Sequence, residues 1–381
     1  MKLSCLQENL SKALSVVSRA VAVRTTLPIT NNVLLATEDG RLKLAATNLE
    51  IAITYWIGAR VEGDGAITVP ARLLNEFVNS LPNDRIDIEL LPRQKSLQFK
   101  CARFEARIAG VDAEEFPPLP DIDQGVSVQI DPEALRKVIS RVAFAAATED
   151  SRPVLTGVNA VLEGNTLTLA AADGYRLSVD RAPIIGDVSE RITMIIPAKT
   201  MNEITRLMGD AQDPVTMTVN PARSQVLFKG NNVRLTSQLI QGTFPNYSQL
   251  IPSDHATRTV VDADDFLRAT RAAAIFARDA SGIVRLQMTP AAAGTGDAAP
   301  GLLEVSARAE ELGDDSGKID AKVDGAEAKV AFNSKYLIDI LNVLGKGEIA
   351  LDTNSPSSPG VIRPLADEHF IHVVMPMYVN W

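Results

Sequence analysis

The sequence predicts an α+β protein built from three tandem copies of one domain, and three observations carry that prediction. Ile67-Thr68-Val69-Pro70-Ala71-Arg72, Ile195-Ile196-Pro197-Ala198-Lys199 and Val330-Ala331-Phe332-Asn333-Ser334-Lys335 each open an amphipathic helix. A short alternating strand follows each helix, at Ile86 to Leu90, Val215 to Val219 and Glu348 to Asp352. Glu115-Phe116-Pro117 and Thr243-Phe244-Pro245 close the first two copies at matching places. A period of this length exceeds a solenoid repeat and suits a whole duplicated domain. The expected domains are 1–124, 125–253 and 254–381.

Each copy begins with a strand and then a helix with one apolar face. Leu6, Leu10, Ala13, Leu14, Val17 and Val21 keep helical spacing in the first copy. Leu135, Val138, Ile139, Val142 and Ala146 do so in the second, after the helix-starting pair Asp131-Pro132. Phe266, Thr270, Ala273, Ala274 and Ala277 do so in the third, after Asp264. Paired strands follow: Val33 to Ala36 with Arg41 to Ala46, Val158 to Leu162 with Thr166 to Ala171, and Val284 to Met288 with Leu302 to Ala307. Asp39-Gly40 and Glu163-Gly164-Asn165 are hairpin turns. The Ala/Gly-rich stretch Ala291 to Gly301 reads as a surface loop without counterpart in the other copies.

At 381 residues, 46% hydrophobic and 22% charged, the composition is that of an ordinary globular chain. Cys5 and Cys101 are too few for a disulfide framework, which favours a reducing, cytoplasmic setting. Neither an apolar leader nor a membrane-length apolar run is present. The net charge of −9 argues against a surface that grips nucleic acid everywhere.

The cations are nevertheless placed by a rule. Lys12, Ser15 and Arg19 share the face opposite the apolar stripe of their helix. Arg136, Lys137, Ser140, Arg141 and Phe144 hold the matching face in the second copy, and Arg268 and Arg271 in the third. Lys199 and Arg206, then Lys335 and Lys346, extend the pattern on the second helices, diluted by Glu203 and Asp339. Recurrence in three copies points to a shallow, salt-sensitive and sequence-blind attraction to a polyanion. With aromatic residues at only 5%, duplex phosphate fits better than a stacking platform for single strands.

No catalytic constellation stands out. His369 and His372 lie three apart in an expected strand, on opposite faces, and His255 lies alone in a linker. Gly294 and Gly296 lack the strand-to-helix setting of a phosphate loop, and Gly345-Lys346-Gly347 lacks the long glycine loop before its lysine. The acidic run Glu310, Glu311, Asp314 and Asp315 follows no calcium-loop register and reads better as a charged patch. No cofactor or metal is expected. A metal enzyme using that acidic run and a scaffold that binds only proteins stand as alternatives to a protein that attracts duplex phosphate.

From Met1 to Met377 the sequence resembles the bacterial DNA sliding clamps, the β subunits of replicative DNA polymerase III. The resemblance rests on the order and spacing of Arg24-Thr25-Thr26-Leu27-Pro28-Ile29, Val69-Pro70-Ala71-Arg72, Asp173-Gly174-Tyr175-Arg176-Leu177, Thr243-Phe244-Pro245-Asn246-Tyr247 and Val373-Val374-Met375-Pro376-Met377. It implies a head-to-tail homodimer, six similar domains in a ring with helices lining a central hole and antiparallel sheets outside. Duplex DNA would pass through that hole, and the chain would be a non-catalytic processivity factor.

By the same resemblance, a groove made of Leu155, Gly174, Tyr175, Arg176, Leu177, Pro245, Leu250, Ser358, Val373, Met375, Pro376 and Met377 would take short peptides. These would come from the polymerase III catalytic subunit, the clamp loader, other polymerases and repair proteins. The apolar members suit a deformable groove, with Arg176 and Ser358 available for peptide oxygens. Arg24, Arg72, Arg152 and Lys199, with Lys12, Arg141 and Arg271 from the basic faces, would meet DNA. The subunit joint would set Arg103, Arg107 and Ile108 against Ile275, Phe276, Glu310 and Glu311. Three departures from the family pattern are Ala106 for a larger apolar residue, Ala172 for Thr, and Tyr378-Val379-Asn380-Trp381 in place of a short basic-aliphatic ending.

Overall fold

The computed structural model describes residues 1–22, 25–149, 151–207, 211–278, 282–291, 300–309 and 313–381. The chain forms two compact units. One comprises Met1–Arg136, Ile184–Val188 and Lys199–Ile240; the other comprises Lys137–Pro183, Ser189–Ala198 and Gln241–Trp381. The expected order of strand, helix, strands, helix, strands is present three times, giving three tandem domains of mixed α and β structure.

The helices are α1 (Gln7–Val17), α2 (Ala71–Ser80), α3 (Pro132–Val142), α4 (Ala198–Leu207), α5 (Ala263–Ala277) and α6 (Ser334–Leu344). Their apolar faces are inside: Leu10, Leu14 and Val17 of α1, Leu135 and Ile139 of α3, and Phe266 and Ala273 of α5 are all fully buried. Leu6 was expected on that face but belongs to the preceding strand and is exposed. The α5 helix starts before Asp264, because the Asp262 carboxylate accepts the Asp264 and Asp265 amides and caps it. Asn333 caps α6 through the Lys335 amide in the same way. None of the described helices is long and apolar enough to cross a membrane.

In the first unit, a five-stranded antiparallel sheet runs in the order Arg60–Gly63, Lys2–Leu6, Arg85–Leu91, Ser96–Cys101, Phe104–Ala109. A second sheet crosses from the first repeat into the next, because Val233–Gln238 pairs antiparallel with Ile51–Gly58. In the second unit, Ile371–Val374 pairs antiparallel with Arg176–Val179 and performs the equivalent join between second and third repeats. Long-range strand pairing thus ties each repeat to the following one at the same structural position. The Ala291 to Gly301 loop falls for the most part outside the described residues, together with Gly294 and Gly296.

Gly360 shows how tightly the second unit is packed. It pairs with Val374, and a Cβ there would stand 2.5 Å from the buried Phe332 ring. We therefore expect Gly360→Ala to cost about 1–3 kcal/mol of stability by overpacking, measured by urea unfolding; an unchanged midpoint would show that the ring has room to yield.

Candidate functional site

The join between second and third repeats is set by a turn. The Asp173 carboxylate accepts the amides of Tyr175 (2.9 Å) and Arg176 (3.0 Å), and Gly174 between them takes φ +96°. This places Arg176–Val179 against Ile371–Val374, and the pairing continues where the Met375 amide donates to the Tyr175 carbonyl at 2.8 Å. The first unit repeats the geometry: Asn48 Oδ1 accepts the Glu50 and Ile51 amides, Leu49 takes φ +76°, and the Gln238 amide donates to the Glu50 carbonyl.

The two joins differ in side chains, and that difference makes one of them a candidate site. Where the second unit faces Leu177 with Val373, the first faces Ala52 with Thr236; Met375 stands where the first has Gln238. Leu177 and Val373 are buried in a cluster with Ala170, Ala172, Val179 and Val361, lined by the partly buried Phe244, Tyr247, Ile251 and Ile371. Met375, Tyr175 and Leu250 are exposed by 40%, 57% and 52%. Leu155 is buried, Pro245 is exposed, and Ser358, Pro376 and Met377 are half-buried. An apolar floor with exposed aliphatic and aromatic side chains nearby can hold an apolar ligand.

Arg176 has a different place from the one its charge suggested. Its side chain is 8% exposed and every branch of the guanidinium is engaged. Nε donates to Asp173 Oδ2 (3.0 Å), Nη1 to Asp339 Oδ2 (2.7 Å) and Nη2 to the Phe144 carbonyl (3.0 Å). The Tyr336 and Phe144 rings lie 4.7 and 5.4 Å from its centre. Arg176 therefore holds the turn to α6 and is not a free donor for ligand oxygens. Ser358 Oγ is likewise close to Ser355 Oγ, at 2.7 Å. Beneath Arg176, His372 is completely buried, bonded through Nδ1 to Ser178 Oγ (2.7 Å) and stacked on Phe144. Burial, reinforced by the Arg176 charge, pushes its pKa down to about 3, so the ring stays neutral.

The basic faces are present but well compensated. Lys12, Arg72, Arg152, Lys199 and Arg271 are exposed. Arg72 pairs with Glu76, Arg19 with Glu203, Arg268 with Asp265, and Arg271 donates to Asn342. Arg152 leans on the turn, with Nη2 3.4 Å from the Asp173 carbonyl. Arg141, expected on the DNA-facing stripe, is instead 14% exposed, 2.6 Å from Asp367 and 3.5 Å from Asp180. Burial alone would raise the Asp367 carboxyl, but hydrogen bonds from Lys137 and Arg141 prevail and lower it to about 2. The sequence missed this pairing because Asp367 is so distant along the chain. Arg24, Glu310 and Glu311 lie outside the described residues.

For the expected subunit joint, Phe104–Ala109 is an edge strand of the five-stranded sheet. It carries exposed Phe104, half-buried Ala106 and inward Ile108, with exposed Arg103 in the turn before it; Arg107 donates to Gln94. On α5, Ile275 is 63% exposed and Phe276 packs partly against the core. No group of side chains suited to a metal ion occurs among the described residues.

Comparison with known proteins follows this geometry domain by domain. Residues 1–120, 129–246 and 248–378 match the models of the N-terminal, central and C-terminal domains of the DNA polymerase III β subunit. The β sliding clamp of Synechococcus elongatus is 31% identical over the full length of both chains, and that of Bacillus subtilis 30% over 99% of each. The crystal structure of the Bacillus subtilis clamp superimposes with a TM-score of 0.93 over both complete chains, at 29% identity. A Pseudomonas aeruginosa clamp solved bound to griselimycin gives 0.91 at 28% identity, again over both complete chains.

The buried histidine makes stability pH-dependent. The unfolded chain takes up a proton near pH 6.5 that the folded chain refuses until about pH 3, so stability falls as pH drops through that window. The limit is about 1.4 kcal/mol per pH unit. Urea unfolding between pH 7 and 5 should show a shallower loss in His372→Gln than in the parent; parallel profiles would mean that His372 titrates normally in the fold.

Proposed function

This chain belongs to the DNA polymerase III β-subunit family, the bacterial sliding clamps, and from that premise we propose how its own residues serve a processivity clamp. It is a tether and not an enzyme. Domains 1–124, 125–253 and 254–381 make half of a ring, and two chains joined head to tail complete it around duplex DNA. The open edge at Phe104–Ala109, with exposed Arg103 just before it and exposed Arg107 on it, supports this reading; Ile108, assigned to the same joint, is buried under that strand. Its counterpart is Ile275 and Phe276 with Glu310 and Glu311. Joining edges in this way also removes the unpaired strand from solvent.

Sliding needs attraction without grip. Lys12, Arg72, Lys199 and Arg271, with Arg24 and Arg152, supply exposed cations for phosphate contact. Neighbouring carboxylates and the net charge of −9 keep that attraction shallow. Arg141 is an internal support in this scheme. The ring works in the cytoplasm, on any duplex sequence.

The observation that carries the peptide-binding reading is the contrast between the two joins. The Leu177–Val373 floor is apolar where its equivalent is Ala52–Thr236. Together with Leu155, Gly174, Tyr175, Pro245, Leu250, Met375, Pro376 and Met377, and with Arg176 and Ser358 fixing its walls, it forms the groove. Short segments of the polymerase III catalytic subunit, the clamp loader, other polymerases and repair proteins dock there. Met suits such varied partners, because its side chain repacks at low cost.

Two experiments test these assignments. After loading, the protein should stay on circular duplex DNA and leave once the circle is cut, and charge reversal at Lys12, Lys199 and Arg271 should shorten retention; equal loss from both DNA forms would rule out encirclement. Leu177→Ala combined with Met375→Ala should weaken griselimycin binding at least about tenfold in a calorimetric titration, without altering the sedimenting mass. Unchanged affinity would remove the groove from this join.

A further inference from the structure

The four residues after Met377 depart from the family pattern, and the structure gives them definite partners. Met377 donates its amide to the Ala331 carbonyl at 2.8 Å, so the chain leaves the groove along the strand Ala328–Asn333. In the adjoining strand Ile283–Thr289, Arg285 stands directly opposite Ala331. Arg285 Nη2 donates to the Asn380 carbonyl at 3.1 Å, and its guanidinium carbon lies 5.8 Å from the centre of the Trp381 ring. Lys329, two residues from Ala331 along its strand, brings its ammonium to 5.9 Å from the same ring. Val330 and Phe332 face the core, so Lys329 and Ala331 share the opposite face. Ala331 is nevertheless only 1% exposed. Tyr378 is 90% exposed, whereas Trp381 is 50% exposed. The tail is therefore anchored at its far end and not at its middle.

We propose that Arg285, Lys329 and Trp381 form a strap that pins residues 378–381 to the third domain and thereby positions the Met375–Met377 rim of the groove. The proposal rests on the groove assigned above and adds positioning residues that touch no ligand. Met375 and Met377 each make a main-chain hydrogen bond, to Tyr175 and Ala331 respectively. Such an isolated pair of bonds at the margin of a sheet frays readily unless the chain beyond is held. Two cations over one aromatic ring, with a hydrogen bond to the preceding carbonyl, provide the hold. A rim already ordered before binding loses less freedom when a peptide arrives, which strengthens affinity without a new contact.

The test compares the full chain with Trp381→Ala, Arg285→Gln and Trp381→Phe. Amide hydrogen exchange at Met375 and Met377 reads the rim directly and needs no ligand. We expect exchange to quicken about tenfold in Trp381→Ala and several-fold in Arg285→Gln, with Trp381→Phe close to the parent because its ring still accepts the cations. The griselimycin dissociation constant should rise about three- to tenfold in Trp381→Ala and recover in Trp381→Phe. Unchanged exchange in Trp381→Ala overturns the strap. Faster exchange with unchanged griselimycin affinity, while Met375→Ala weakens it, overturns the link between strap and groove. A failure of the groove reading looks different: exchange quickens as expected, but neither Trp381→Ala nor Met375→Ala affects griselimycin.

Discussion

A single buried guanidinium ties together the join between the second and third repeats. Arg176 lies within one turn of Asp173, yet its other partners, Asp339 and Phe144, come from a helix of the third domain and the end of the second domain's first helical segment. A cation this enclosed is tolerated because each branch of the fork has an acceptor and two aromatic rings lie close to it. Removing one partner from such a set typically costs about 3–5 kcal/mol, since the other charges stay buried. The strand that follows Arg176 carries Leu177 to Val373, and the carbonyl that precedes it receives Met375. The turn at Asp173, the Leu177–Val373 pair and the hydrogen bond from Met375 all adjoin this one side chain.

The repeat explains why the two joins share a backbone and differ in how apolar they are. Both joins are built by an Asx turn, a residue at positive φ and an antiparallel strand pair extended by one further hydrogen bond. The backbone is common property; the side chains are not. Ile51 occupies the place of Arg176, and Ala52, Thr236 and Gln238 occupy those of Leu177, Val373 and Met375. The shared backbone is the scaffold, and a few side chains make one join apolar. The charges follow a similar division. Exposed Lys12, Lys199 and Arg271 remain on helix surfaces, while Arg141, at a comparable place on its own helix, is drawn into the Asp367–Asp180 pair.

Local features of the fold were legible in the sequence, and contacts between distant segments were not. Helix starts at Ala71, Ala198 and Ser334 followed from the repeated openings, and the apolar spacing of α1, α3 and α5 marked their buried faces. The strand Arg176–Pro197 went unread, because polar and charged residues break its alternation from Asp180 onward. Groove residues came from family resemblance, since pairing between Leu177 and Val373 leaves no periodic trace. The engaged state of Arg176 and Arg141 was hidden for the same reason: Asp339 and Asp367 lie far along the chain, and a basic residue on a helical face looks alike whether it meets solvent or a carboxylate. Spacing alone set His372 aside as a metal ligand, but only its surroundings identify it as a neutral core residue.

The most direct measurement compares Arg176→Lys with the parent chain for binding of griselimycin, the ligand of the Pseudomonas aeruginosa clamp that the proposed groove is expected to take. Lysine keeps the positive charge but cannot bond Asp173, Asp339 and the Phe144 carbonyl together with one planar fork. If this side chain places the groove without contributing free donors to it, the dissociation constant should rise about tenfold, with Asp339→Asn producing a loss in the same direction. Full affinity in Arg176→Lys would show that the groove stands without its fork.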